Sequence, residues 1–76
     1  MFSKEKFADR LKMLRKDKKF TQDDIAKILK VTRTQISDIE NAKTTTSLER
    51  IYTLADFFNV SLDYLVGRSD NPNINH

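Results

Sequence analysis

Along the first helix-length of chain, apolar side chains fall at Phe7, Ala8, Leu11 and Leu14, with Lys4, Lys12, Lys16 and Lys18 around them. That spacing predicts an amphipathic helix over residues 4–17, with Ser3 as its N-cap. Lys16-Asp17-Lys18-Lys19 ends it, and Phe20 returns the chain to the core. Further on, Leu48, Ile51, Tyr52, Leu54, Ala55 and Phe58 predict a helix over residues 47–58. Its apolar stripe is wider than one neighbour needs. Thr46 with Glu49 has the capping-box form at its start, and Asn59 suits a left-handed closing residue. Ser61 then caps a short last helix through Leu62, Tyr64, Leu65 and Val66, stopped by Gly67. The polar segment 68–76, with Pro72 and three Asn, is expected to be a frayed tail.

The middle stretch, Thr21 to Glu40, allows two readings. Ile25, Ile28, Leu29, Ile36 and Ile39 fit one long amphipathic helix, and no Gly or Pro interrupts it. Yet Thr21 precedes Asp23 and Asp24, a hydroxyl cap with acids in the first turn. The same form returns at Thr32, with Gln35 at the capping-box position. A second cap inside a continuous helix has no backbone N–H to satisfy. Val31 and Thr32 are also adjacent β-branched residues, mildly unfavourable in a helix interior. The pattern therefore favours two helices, about 22–29 and 33–40, with Lys30-Val31 in the turn.

Composition narrows the class. Gly and Pro occur once each, Gly67 and Pro72, so the connections are short polar turns and the fold is all-α. At 76 residues there is one domain, read as residues 1–67 plus the tail. No Cys is present and the single His is the last residue, which excludes disulfides, a Cys-based zinc site and a His relay. No cofactor, metal or small-molecule ligand is indicated, and no Gly-rich phosphate loop or evident carboxylate pair suggests an enzyme. The N-terminus is charged from Lys4 and no apolar run has membrane-spanning length, so a soluble, cytoplasmic protein is expected.

Charge is uneven: residues 1–43 hold 12 Lys/Arg against 7 Asp/Glu, and residues 44–76 hold 2 against 4. A basic N-terminal part is consistent with a nucleic-acid partner, although a solvated lysine-rich face gives the same bias.

Phe20-Thr21-Gln22, Ile25-Ala26, Val31-Thr32, Ile36-Ser37 and Glu40, in this order and spacing, resemble the helix-turn-helix of the Xre family, which includes lambdoid phage repressors and Cro-like proteins. The resemblance continues through Ser47-Leu48, Leu54-Ala55 and Asn59 to Gly67, covering about residues 5–67. It implies a compact five-helix domain, two helices within the motif 21–40, and a third helix lying in the DNA major groove. One departure is Lys30, where the family's turn often carries Gly; a positive φ there costs a Lys modestly.

Advancing Arg33 to Glu40 by roughly 100° per residue groups Ile36, Ile39 and Glu40 on one side. Thr34, Ser37 and Asp38 fall opposite, with Arg33 and Gln35 on the flanks. Any surface helix has a polar side; the resemblance makes this one the groove-facing side. By the same resemblance Arg33, Thr34 and Asp38 match base-reading positions, with Ser37 between them, and Arg33 has the fork for guanine O6 and N7. Gln22, at the start of the second helix, matches a phosphate contact, and Thr32 is assigned the same duty while capping. Lys43, Thr44, Thr45 and Thr46 follow in a polar loop suited to the DNA backbone. Arg15 and Glu40 match a structural ion pair beneath the DNA surface. A homodimer is expected, paired through Tyr64, Val66 and neighbours with Phe57 or Phe58 beneath.

The function expected from these residues is a sequence-specific double-stranded DNA-binding regulator, a repressor of phage, mobile-element or bacterial origin acting on a palindromic operator. The alternative is an antitoxin or other protein-binding helical module whose basic side is merely solvated.

Overall fold

The computed structural model describes residues 2–74, so the ends of the expected tail, 75 and 76, lie outside the described residues. Among these residues the chain forms five helices and no strand: α1 (Lys4–Asp17), α2 (Gln22–Leu29), α3 (Arg33–Glu40), α4 (Leu48–Phe58) and α5 (Leu62–Leu65). None is long and apolar enough to cross a membrane.

The helix starts follow the capping residues. The Ser3 hydroxyl accepts from the Lys6 N–H at 3.2 Å. Thr21 accepts from Asp24 N–H while Asp24 accepts back from Thr21 N–H, a closed capping box; Thr32 and Gln35 repeat it. The middle stretch is thus two helices. The expected cap of α4 is shifted by one residue: Ser47, not Thr46, accepts from the Arg50 N–H. Arg50 has no acceptor to return, so the Thr46–Glu49 box does not form. Either hydroxyl qualifies by type, and the choice depends on where the preceding loop delivers the chain. The last helix also stops one residue earlier than expected, with Val66 as its C-cap.

Helix ends share one device. Lys19, Lys30, Ala42 and Asn59 are left-handed, with φ of 63°, 59°, 58° and 55°. After each, the next N–H reaches back five residues, as Val31 does to the Ala26 carbonyl at 3.0 Å. Lys30 therefore makes the turn that Gly often makes in the family, and α2 and α3 pack against each other.

Phe7, Leu11, Ile25, Ile36, Leu54 and Leu65 are fully buried, so every helix gives a side chain to one core. From α4 only Ile51, Leu54, Ala55 and Phe58 are buried; Leu48 and Tyr52, counted in its apolar stripe, are 69% and 59% exposed. Phe20 packs at the core's edge, its ring 5.0 Å from that of Phe57.

The segment expected to fray makes specific contacts with the helices. Ser61 N–H donates to the Pro72 carbonyl at 2.9 Å. The Arg10 guanidinium donates to the carbonyls of Tyr64 and Ser69 and to the Asp70 carboxylate, at 2.8, 3.1 and 2.8 Å. It also lies 4.0 Å from the Tyr64 ring centroid, a cation–π contact.

Candidate nucleic-acid interface

Helix α3 is anchored from beneath. Ile36 and Ile39 are buried in the core, and Glu40, in the last turn, is the one buried charged residue among those described. Its carboxylate accepts from Arg15 Nε at 2.6 Å and Nη2 at 2.9 Å, and from Gln22 Nε2 at 3.1 Å. Arg15 Nη1 donates to the Phe20 carbonyl at 3.0 Å. One carboxylate therefore ties α1, the start of α2 and the end of α3 together, with its buried charge compensated. The hydrogen bond with Glu40 raises the Arg15 guanidinium's pKa further, against burial, which lowers it.

The other side of α3 faces outward. Arg33, Thr34 and Gln35 are exposed, and Ser37 and Asp38 are half-buried. Arg33 makes no hydrogen bond or ion pair within the described residues and lines a groove with Arg15, Phe20, Thr21, Gln22 and Asp23. On the opposite flank Gln35 shares a groove of about 310 Å³ with Thr44, Thr45, Thr46 and Arg50. Lys43 and Thr45 are exposed on the loop leaving α3. The nine residues expected to meet DNA, Gln22, Thr32, Arg33, Thr34, Gln35, Ser37, Asp38, Lys43 and Thr45, thus lie on α3 and its N-cap, at the start of α2 and in the loop beyond.

Besides Thr32, which caps α3, two of them carry local duties. Gln35 uses its Oε1 to accept from the Thr32 N–H at 2.9 Å, which leaves its Nε2 for an outside acceptor. Gln22, expected as a phosphate contact, gives one Nε2 hydrogen to Glu40; an amide nitrogen carries two, so the second remains. Sequence spacing offered no signal of this link across 18 residues. Nor did it signal Arg10.

A family described as helix-turn-helix matches residues 11–65. The chain belongs to that family, in its Xre-like form. It is similar to an uncharacterised HTH-type transcriptional regulator, YobD, of Bacillus subtilis, at 29% identity over 87% of this chain and 59% of the relative. It is also similar to the HTH-type transcriptional activator BcrR of Enterococcus faecalis, at 37% identity over 79% of this chain and 29% of the relative. A crystal structure of a transcriptional regulator from Listeria innocua superposes with a TM-score of 0.78 at 31% identity, covering 80% of this chain and 57% of that one. The chain therefore spans between about a third and three fifths of the lengths of these proteins.

The residues expected at a self-association surface are divided. Phe58 is buried in the core, and Tyr64 and Val66 are half-buried, with Arg10 over the Tyr64 ring. Phe57 is exposed but lies against Phe20 and Phe58.

Proposed function

We propose that this chain is the sequence-specific, double-stranded DNA-binding part of a transcriptional regulator and binds a two-fold symmetric operator as a homodimer. The observation that carries this reading is the outward face of α3. Arg33 and Thr34 stand exposed, Arg33 has no partner among the described residues, and Glu40 and the two isoleucines hold the helix from behind. A helix so held presents its polar side chains at fixed positions, as base reading in the major groove requires.

In this reading Arg33 addresses a guanine, and Thr34, Ser37, Asp38 and the Gln35 Nε2 read neighbouring base edges. Gln22, Thr32, Lys43 and Thr45 hold phosphates on either side and set the register. Gln22 does so with its second amide hydrogen, without leaving Glu40. Repression by covering a promoter asks least of a domain this size, because it needs no contact with polymerase. BcrR is named an activator, so a promoter fusion should read both signs.

The test is selection of bound sequences from a random pool, followed by affinity measurements at several salt concentrations. The expected result is an enriched two-fold motif, bound at least about 10³-fold more tightly than random DNA, with affinity falling linearly in log salt. No enriched motif and no salt dependence would refute the proposal in favour of a protein-binding module.

A further inference from the structure

Two apolar side chains of α4, Leu48 and Tyr52, lie on the outside of the molecule, 69% and 59% exposed. They are one turn apart, so they share a face. The other exposed aromatic residues, Phe2 and Phe57, each rest against another ring; Tyr52 has no such neighbour among the described residues. From Tyr52 the surface continues into a hollow of about 310 Å³ between α4, α5 and the returning segment, where Leu62 and Ile74 also face it. Asp56, Ser61, Asp63, Ser69 and Asn71 also line that hollow, and exposed apolar side chains beside a polar rim are the pattern of an interaction site.

Its position identifies the occupant, given the DNA reading above, on which this inference rests. Leu48 directly follows the loop of Lys43 and Thr45, and the start of α4 adjoins the Gln35 flank of α3 through the groove shared with Arg50. A helix of two turns reads only about four base pairs, so useful discrimination needs a second copy with its half-site roughly 34 Å away. The domain measures 33 × 24 × 21 Å. Two copies at that spacing on one side of the duplex meet flank to flank when the 33 Å axis runs along the DNA. Of the two flanks of α3, the one bearing Arg33 adjoins the end of α1, where exposed Lys16, Lys18 and Lys19, together with Arg33, outnumber Asp17 and Asp23 and leave a net positive surface that would face its own copy. The α4 flank presents Leu48 and Tyr52 with charges of both signs, Glu49 and Arg50.

We infer that two copies of this chain pair through the outer face of α4, around Leu48 and Tyr52, and not through Tyr64 and Val66 of the α5 end. The contact is isologous, so each residue meets a surface containing its own copy. Its edge lies beside the DNA-facing loop, which couples pairing to operator occupancy.

The chain has no cysteine, so single thiols can be introduced without background. Leu48→Cys, Tyr52→Cys, Val66→Cys and Lys18→Cys proteins are treated with a short bis-maleimide at equal concentration, without DNA. Cross-linked dimer should form at least about tenfold faster for Leu48→Cys or Tyr52→Cys than for the other two, because pairing raises the local thiol concentration. A faster Val66→Cys would move the interface to α5, and equal rates at all four positions would overturn pairing through α4. Binding to a two-half-site operator supplies the second measurement. Tyr52→Glu should lose cooperativity while its affinity for an isolated half-site stays within about twofold, since like charges placed at a two-fold contact repel only the partner copy. Retained cooperativity would also overturn the inference. Absence of sequence-specific binding by the parent would instead count against the DNA reading, which the cross-linking does not use.

Discussion

Replacing Glu40 by Gln changes shape little and removes the charge on which three helices converge. The parent carboxylate, with 1% of its side chain exposed, accepts three hydrogen bonds, two of them from Arg15. A glutamine offers one acceptor oxygen, and its amide nitrogen meets the donors of Arg15 or Gln22 head-on. Arg15 keeps its bond to the Phe20 carbonyl but has only 12% exposure through which to recover water. Removing one partner of such a pair costs about 3–5 kcal/mol, and the remaining exposure of Arg15 places this case at the lower end, about 3. For a domain of this size that corresponds to a fall in Tm of roughly 12–24 °C. Arg15→Met should cost more, since it leaves the less exposed carboxylate with Gln22 as its only remaining donor. Arg15→Met with Glu40→Met should be milder than the worse single change, because no uncompensated charge remains. Urea titrations of the parent, Arg15→Met, Glu40→Met and the double variant, at constant m, give the coupling energy directly. Additivity of the two single losses within about 0.5 kcal/mol would show that the pair does not stabilise the fold in this way.

Four further outcomes can be measured. Arg33→Ala should weaken operator binding by about 1–3 kcal/mol and relax preference at one base pair per half-site, whereas Lys43→Ala should weaken all sequences alike and lower the salt slope by about 1 per monomer; equal losses for Arg33→Ala on operator and random DNA would move it to the phosphate contacts. Gly67→Ala should destabilise the domain by about 2 kcal/mol, read by thermal melting, because an L residue at φ +84° is strained and the added Cβ would sit 2.7 Å from Lys6 Cβ; an unchanged Tm would mean that α1 and α5 yield freely there. The Asp24 carboxyl is held below its ordinary range, first by the Thr21 N–H and then by the Thr21 hydroxyl. Its folded pKa lies below the unfolded one, so its contribution is present above about pH 4 and is lost as the pH falls through the folded value. Asp24→Asn should therefore lie closer to the parent in stability at about pH 3 than at about pH 6 in urea titrations, and a constant gap would remove Asp24 from the acid response.

What could be read from the residues alone was what is local. Ser3, Thr21, Thr32 and Ser61 each cap a helix by bonding an N–H three residues on, and Asn59 closes one, so neighbours in sequence suffice. The buried positions of α1 and α3 follow from helical spacing, and the same spacing put Thr34 opposite Ile36 and Ile39. The Arg15–Glu40 pair was legible only through the family resemblance, as were the duties proposed for the outward residues of α3, because no period relates residues on different helices. Tertiary structure decided the rest. Whether Thr46 or Ser47 caps α4 depends on how the loop leaves α3, and both hydroxyls qualify by type. Arg10 reaches partners 54 to 60 residues away, and Gln22 finds Glu40 across 18, distances at which spacing carries no information about contact. The α4 stripe was legible as apolar, but not which part of it meets the core. That depended on where α1, α2 and α5 lie, since burial is a property of the surfaces brought together, and their arrangement left Leu48 and Tyr52 outside.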